Sequence, residues 1–322
     1  MTMKLNIRAL VCLVTLLPAL ALAQAFPTKP LRLIVPFPAG GPADLFGRGL
    51  AQGMAAELGQ PVLVENVGGV GGVLGVDRAV KSAPDGYTLA FNSASTLAIA
   101  PASMSKIPYD VKKDFAFITL TVQVPEVLAV HPSVPANTMQ EFVAHVRANP
   151  GKINFGSAGA GSITHLAGEL LKAEAKLDMV HVPYKGAAPA VTDLLGGVVQ
   201  MGVFDVPVLL SHIRAGKLKA LAVTSGRRAG TLPDVPTTAE TGYPAVLSDN
   251  WYGLVAPAAT PPEVLKRIHA AATAALRAPA LVEQFAKVSG VASPTTPEEY
   301  ATFLAAEQAK WSKIVNAIGF RE

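Results

Sequence analysis

The stretch KINFGSAGAGSITHLAGELL, Lys152 to Leu171, decides how the rest of the chain is read. A short apolar run passes into small residues and glycines, then into apolar residues at helical spacing. That is strand, loop, helix, the unit from which α/β proteins are built. A Gly-rich loop at such a junction can cradle phosphate, carry a nucleophilic serine, or hold another group by its backbone N–H donors. It can also be a plain connector.

Several motifs that would choose among these are missing. No GxxxxGK[ST] occurs, so Gly156 to Ser162 is not a phosphate loop of that kind. The glycines at 156, 159 and 161, and those at 68, 69, 71, 72 and 75, do not form GxGxxG. No GxSxG elbow surrounds Ser157 or Ser162, which leaves a serine hydrolase as a weak second reading. The six histidines lack metal-ligand spacing, and no cofactor is expected. His165 either lines a site or packs the start of its helix.

A second stretch has the same layout. LRLIVPFPAGGPADLFGRGLAQ, Leu31 to Gln52, also runs strand, small-residue loop, helix. The free N–H groups and positive dipole at each helix start suit an anion, and glycine or alanine lets a ligand approach the backbone. Both loops fall at carboxyl ends of strands, where open α/β sheets bind their ligands. One such loop is an ordinary turn; two matching ones favour a carboxylate clamp.

Similar alternation runs through the chain. Strands are expected at Leu31–Phe37, Pro61–Val67, Tyr87–Asn92, Met179–Val182, Val198–Phe204, Leu218–Thr224 and Trp251–Ala256. A long β-rich run, Phe115–Val130, is expected to break at Pro125. Helices are expected at Ala43–Leu58 with Gly59 as stop, Val73–Ser82, Thr138–Ala148, Pro189–Leu195, Pro207–Ala215, Pro262–Leu276, Pro279–Ser289 and Pro297–Ile318. This pattern predicts parallel-rich sheets covered by helices on both faces. The architecture inferred is two lobes: residues 26–122 with 225–322, and an inserted 123–224. The runs Phe115–Val130 and Ala222–Trp251 would be the crossings.

Other polar residues fall at equivalent strand ends. Ser93 and Ser95 offer hydroxyls to a cleft or cap a helix, and Lys185 could attract an acid. Asp205 would accept from a ligand amine or hydroxyl, or cap the helix that follows it.

Residues 1–25 read as a signal peptide. Lys4 and Arg8 precede the uncharged run Ala9–Leu22, and Ala21-Leu22-Ala23 or Ala23-Gln24-Ala25 supplies the cleavage site. The run is shorter than a spanning helix needs, so a periplasmic protein with no membrane span in its mature form is expected. The only cysteine, Cys12, lies within that segment, which excludes disulfides and thiolate chemistry afterwards. The formal charge of +4, less the two cations Lys4 and Arg8, leaves +2, too near balance to indicate nucleic acid.

Six stretches taken together, IVPFPAGGPADLFGR, VENVGGVGGVLGVDRAVKSAPDGYTLAF, NFGSAGAGSITHLAGELL, VPYKGAAPAVTDLLGG, LAVTSGRRAGTLPDVPTTAETGYP and WYGLVAPAATPPEVLKRI, resemble the periplasmic receptors of tripartite tricarboxylate transporters, the Bug or TctC family. The likeness covers essentially the whole mature chain in order. It implies a type II periplasmic-binding-protein fold of Venus-flytrap form, no enzymatic activity, and delivery of a small organic carboxylate to membrane transporter subunits. A monomer is expected. The resemblance carries ligand-binding roles onto Phe37, Ala39, Gly40, Gly41, Ala43 and Asp44 in one loop. In the other it carries them onto Ser157, Ala158, Gly159, Ser162, Thr164 and His165, with Ser93, Ser95 and Asp205 completing the cleft. One position departs from the family: Pro42 stands where Ser or Thr is common. Proline brings neither N–H nor hydroxyl, but it can open a helix at little cost.

Overall fold

The computed structural model describes residues 26–321, so the expected signal peptide with Cys12 lies outside the described residues. In chain order the elements are β1 Leu31–Val35, α1 Pro42–Leu58, β2 Val62–Asn66, α2 Val73–Val80 and β3 Thr88–Ser93. A π-helical segment, Ser95–Ile99, runs into α3 Ala100–Ser103. Then follow β4 Phe115–Val130, α4 Met139–Ala148, β5 Asn154–Ser157, α5 Ile163–Ala175 and β6 Val180–Pro183. The chain continues with α6 Ala187–Leu195, β7 Met201–Asp205, α7 Val206–Arg214, β8 Lys219–Val223 and β9 Asp249–Pro257. It closes with α8 Pro262–Arg277, α9 Pro279–Ala286, β10 Val291–Ala292 and α10 Pro297–Ile318.

The strands lie in the order β2-β1-β3-β9-β4-β7-β5-β6, with β8 and β10 also pairing β4. Each outer part is parallel, as the alternation implied: β2, β1 and β3 on one side, β6, β5 and β7 on the other. The middle is antiparallel, because β4 and β9 run back against their neighbours. The result is a mixed α/β protein of two lobes, the type II binding-protein arrangement.

β4 joins the lobes. Its residues Phe115–Pro125 pair with β9, whereas Glu126–Val130 pair with β7 and β8. The strand therefore does not break at Pro125. Proline lacks an N–H and is tolerated where a ladder does not need one. Here it falls where the partnership with β9 ends and that with β7 begins. The return crossing runs close by: Thr224 donates its N–H to the Glu126 carbonyl (3.0 Å), and Ser248 donates its own to the Thr224 carbonyl (2.9 Å).

Local chemistry explains the helix ends. Pro42, Pro262, Pro279 and Pro297 each occupy a first helical position, where a missing donor costs nothing. Gly59 ends α1 in the left-handed region, as expected of a C-terminal stop. Thr296 and Glu299 form a reciprocal capping box on α10. Most predicted elements fall within a residue or two of those observed. The segment Ser95–Ser103 is a helix that periodicity did not reveal, since it is fully apolar or small and continues straight from β3.

Buried side chains fill the space on both faces of each lobe. Phe46, Leu33 and Leu254 pack with Ile268 and Phe285 in one lobe, and Phe204, Leu194 and Leu209 pack together in the other. A further cluster runs through both, from Val76 and Leu97 past Trp251, Tyr300 and Trp311 to Leu128, Phe155 and Leu166. α10 contributes to it and touches the Ser95–Ile99 segment, β4 and α5.

Candidate functional site

The two small-residue loops face each other across the junction of the lobes. Ile163, the first residue of α5, donates its N–H to Ser95 Oγ at 3.0 Å. Gly186 lies so close to Pro38 that an added Cβ would sit 2.8 Å from Pro38 Cδ. Gly71 approaches the second loop from a glycine-rich turn at residues 68–72, where an added Cβ would lie 3.1 Å from the Ala160 carbonyl oxygen. Gly71 has φ +57°, a conformation open to glycine and costly for a branched residue.

Between the loops is a cavity of about 30 Å3. Phe37, Gly41, Ala43, Ser93 and Ser95 line one side. Ala158, Ser162, Thr164 and Asp205 line the other, and Asn250 and Tyr252 of β9 also border it. That volume admits only a water or two, so any organic solute requires the lobes to part. A wider vestibule of about 200 Å3 adjoins it, sharing Phe37 and Ala158 and including Gly159 and Lys185.

The backbone donors divide into two sets. Among the described residues, no acceptor pairs with the N–H of Gly41, Ala43 or Thr164, and all three residues line the cavity. Ala43 and Thr164 are in the first turns of α1 and α5, so the helix dipoles add to their pull on an anion. Other expected donors are turned into the loops. The Gly40 N–H goes to Asp44 Oδ2 (3.1 Å), that of Ala158 to Thr164 Oγ1 (2.8 Å), and that of Gly159 to Ser157 Oγ (3.2 Å). The Gly161 N–H goes to His165 Nδ1 at 3.2 Å. Asp44, Ser157 and His165 thus shape the loops from behind and do not line the cavity. Ala39 and Gly40 are exposed at the rim.

His165 stacks on His181 at 3.7 Å between ring centroids, and His181 Nε2 lies 2.7 Å from Ser157 Oγ. A serine beside a histidine is half of a nucleophilic pair. Ser157, however, is wholly buried, and burial together with the Lys172 charge pushes His181 down to about 4. Among the described residues, no carboxylate bonds to His181. Ser162 Oγ is engaged by the Gly159 carbonyl (2.6 Å) and by Thr164 Oγ1 (2.9 Å).

Asp205 does not cap α7. Its carboxylate accepts from Asn250 Nδ2 (3.0 Å to each oxygen) and from the Tyr252 hydroxyl (2.6 Å). Glu126, its register partner on β4, accepts from Ser248 Oγ at 2.6 Å. The two acids are neighbours on adjacent strands, and both are buried. Burial and the Asp205 charge push the Glu126 carboxyl well above its ordinary value, and burial raises Asp205 to about 6. Three donor contacts favour the charged form at Asp205, so Glu126 keeps its proton longer. A carboxyl raised by folding contributes stability below its unfolded value that is lost as pH rises through the folded one. Glu126→Gln cannot ionise. Relative to the unmodified protein it should therefore gain at least about 1 kcal/mol in stability between pH 5 and pH 8, since one unit of displacement corresponds to about 1.4 kcal/mol. Urea unfolding at the two pH values measures this; an equal difference at both would sink it.

Asn250, Tyr252, Glu126 and the turn at 68–72 were missed in the sequence. The one usable signal was the polar pair Asp249-Asn250 opening an otherwise apolar strand. Among the described residues, no helix is long and apolar enough to cross a membrane, and no group of three His, Cys, Asp or Glu could hold a metal.

Two lobes closing on paired helix N-termini define a solute-binding protein of the periplasmic class. The chain belongs to the TctC family, described as tripartite tricarboxylate transporter family receptors, whose pattern matches residues 46–320. It is 39% identical over 298 residues to protein BugT of Bordetella pertussis, covering 92% of this chain and 91% of that one. The solved structure of the periplasmic binding protein BugD is 33% identical with a TM-score of 0.89, covering 92% and 99% of the two chains. The structure of MatC from Rhodopseudomonas palustris with bound malate is 31% identical with a TM-score of 0.86, covering 90% and 100%. The family is one of solute-binding receptors.

Proposed function

We propose that this protein is an exported receptor, without catalytic activity, that captures a small carboxylate between its lobes and delivers it to a membrane transporter. One observation carries the reading: Gly41 and Ala43 from one lobe and Thr164 from the other, whose N–H groups have no partner among the described residues, line a single cavity. Their helix dipoles favour negative charge, and closure keeps water from competing for the donors. The malate bound by MatC supports this choice of ligand chemistry. The lobes would be residues 26–122 with 225–322, and residues 123–224. They would move about Pro125–Glu126 and the crossing between Thr224 and Ser248. A monomer in the periplasm, freed of residues 1–25, meets those needs.

The proposed ligand shell has two parts. Phe37, Gly41, Ala43, Ser93, Ser95, Ala158, Ser162, Thr164 and Asp205 face the solute. Ala39, Gly40, Asp44, Ser157, Gly159 and His165 form the rim and the supports of the loops.

A thermal-shift screen against carboxylates tests the reading. A carboxylate at about 100 times its dissociation constant should stabilise the folded protein by about 2.7 kcal/mol. If only neutral solutes raise the melting temperature, the carboxylate reading is wrong.

A further inference from the structure

The cavity carries a negative charge that nothing in the protein balances. Asp205 is 1% exposed, and its bonded neighbours, Asn250 and Tyr252, are neutral. Among the described residues, no lysine, arginine or histidine forms an ion pair with it, although buried charges are ordinarily paired. Asp205 Oδ1 accepts only from Asn250, so an acceptor position is left over. On the facing wall of the same cavity, Ser93 is likewise 1% exposed, and its hydroxyl has no partner. One part of the cavity thus offers N–H donors to an anion, while another offers an acid and a free hydroxyl.

A simple carboxylate satisfies only the first part and is repelled by the second. An alcohol next to the carboxylate would supply a donor but leave the charge of Asp205 unbalanced. We propose that the solute is a zwitterionic amino acid. Its carboxylate is held by the N–H groups of Gly41, Ala43 and Thr164, and its ammonium is received by Asp205 and Ser93. Tyr252 and Asn250 act as positioning residues that aim the Asp205 carboxylate. This inference rests on the carboxylate reading above and narrows it to one class of solute.

Titration calorimetry at pH 7.5 with matched pairs tests it: L-alanine and propionate, L-aspartate and succinate, L-phenylalanine and 3-phenylpropionate. Hydrogen bonds to charged groups are worth enough for a difference of at least about tenfold. One amino acid should bind at least about tenfold more tightly than its partner acid. Asp205→Asn should lower the amino acid's affinity by at least about tenfold and so erase that preference. Thermal unfolding checks that the variant folds; if it does not, the pairs on the unmodified protein decide alone. Equal or tighter binding of the acids lacking an amine overturns the inference and leaves the carboxylate reading standing. Succinate binding that strengthens in sodium chloride but not in choline chloride also overturns it, because a metal cation would then balance Asp205. If none of the six acids binds, this inference falls, and the carboxylate reading is decided by the thermal-shift screen.

Discussion

Gly159→Val should lower the affinity for the carboxylate by at least about 100-fold, which is about 2.7 kcal/mol, while the protein remains folded. Gly159 has φ +136°, a backbone conformation essentially confined to glycine. A Cβ there would meet the Tyr184 carbonyl at 3.3 Å and the Gly71 N–H nitrogen at 3.4 Å, so there is also no room to relax. The Gly159 carbonyl accepts from Ser157 Oγ, from Ser162 Oγ and from the Ser162 N–H. Rotating that peptide undoes the loop and redirects Ser162 and Thr164, which line the cavity. The strained residue sits between the lobes and not in either core, so the cost falls on closure. Calorimetry with the tightest carboxylate found, alongside circular dichroism, measures both halves. An unchanged dissociation constant would show the loop to be a connector.

Trp251→Ala should cost about 3–5 kcal/mol of folding stability, the range for removing a large buried aromatic. Trp251 is 1% exposed on β9 and packs edge-on against Tyr300 (6.1 Å) and Phe303 (5.3 Å) of α10. Its indole N–H donates to Glu307 Oε2 at 2.9 Å. Trp311 also donates to that oxygen, at 3.2 Å, so the acid keeps one partner when the other is removed. The loss is therefore mainly of packing between α10 and the sheet, in the cluster that runs through both lobes. Urea unfolding gives the value directly; a loss under about 1 kcal/mol would mean the site collapses around the smaller residue.

Much of the architecture was legible because it is written in local patterns. Leu31–Val35 and Met201–Asp205 are short apolar runs bounded by turns, and α1 and α8 carry apolar faces at helical spacing. Pro42, which looked like a lost contact, is the opening residue of α1, a role its fixed φ and missing donor suit. Pro125 misled for the same reason read the other way. A proline in a strand argues for a break, and only the change of partners from β9 to β7 removes the need for its N–H. Ser95–Ser103 escaped notice because a helix of small and apolar residues has no charged face to set its period.

The candidate site was legible in its residue types and not in its directions. Small residues between a strand and a helix declare that backbone donors are close to the surface, and two such units declare a pair of jaws. Which donors point inward is settled by contacts distant in sequence. Ser95, for example, takes the Ile163 N–H across 68 positions. Asp205 could have been a cap or a ligand group. Asn250 and Tyr252, brought beside it by β9, exclude the cap and hold its charge in the cavity. The sequence alone determined the α/β class, the two matching loops and the likeness to a receptor family, because these follow from periodicity, glycine placement and order along one chain. Tertiary structure alone decided which N–H groups stay free, which acid keeps its proton and what the cavity admits, because those depend on the packing of one lobe against the other.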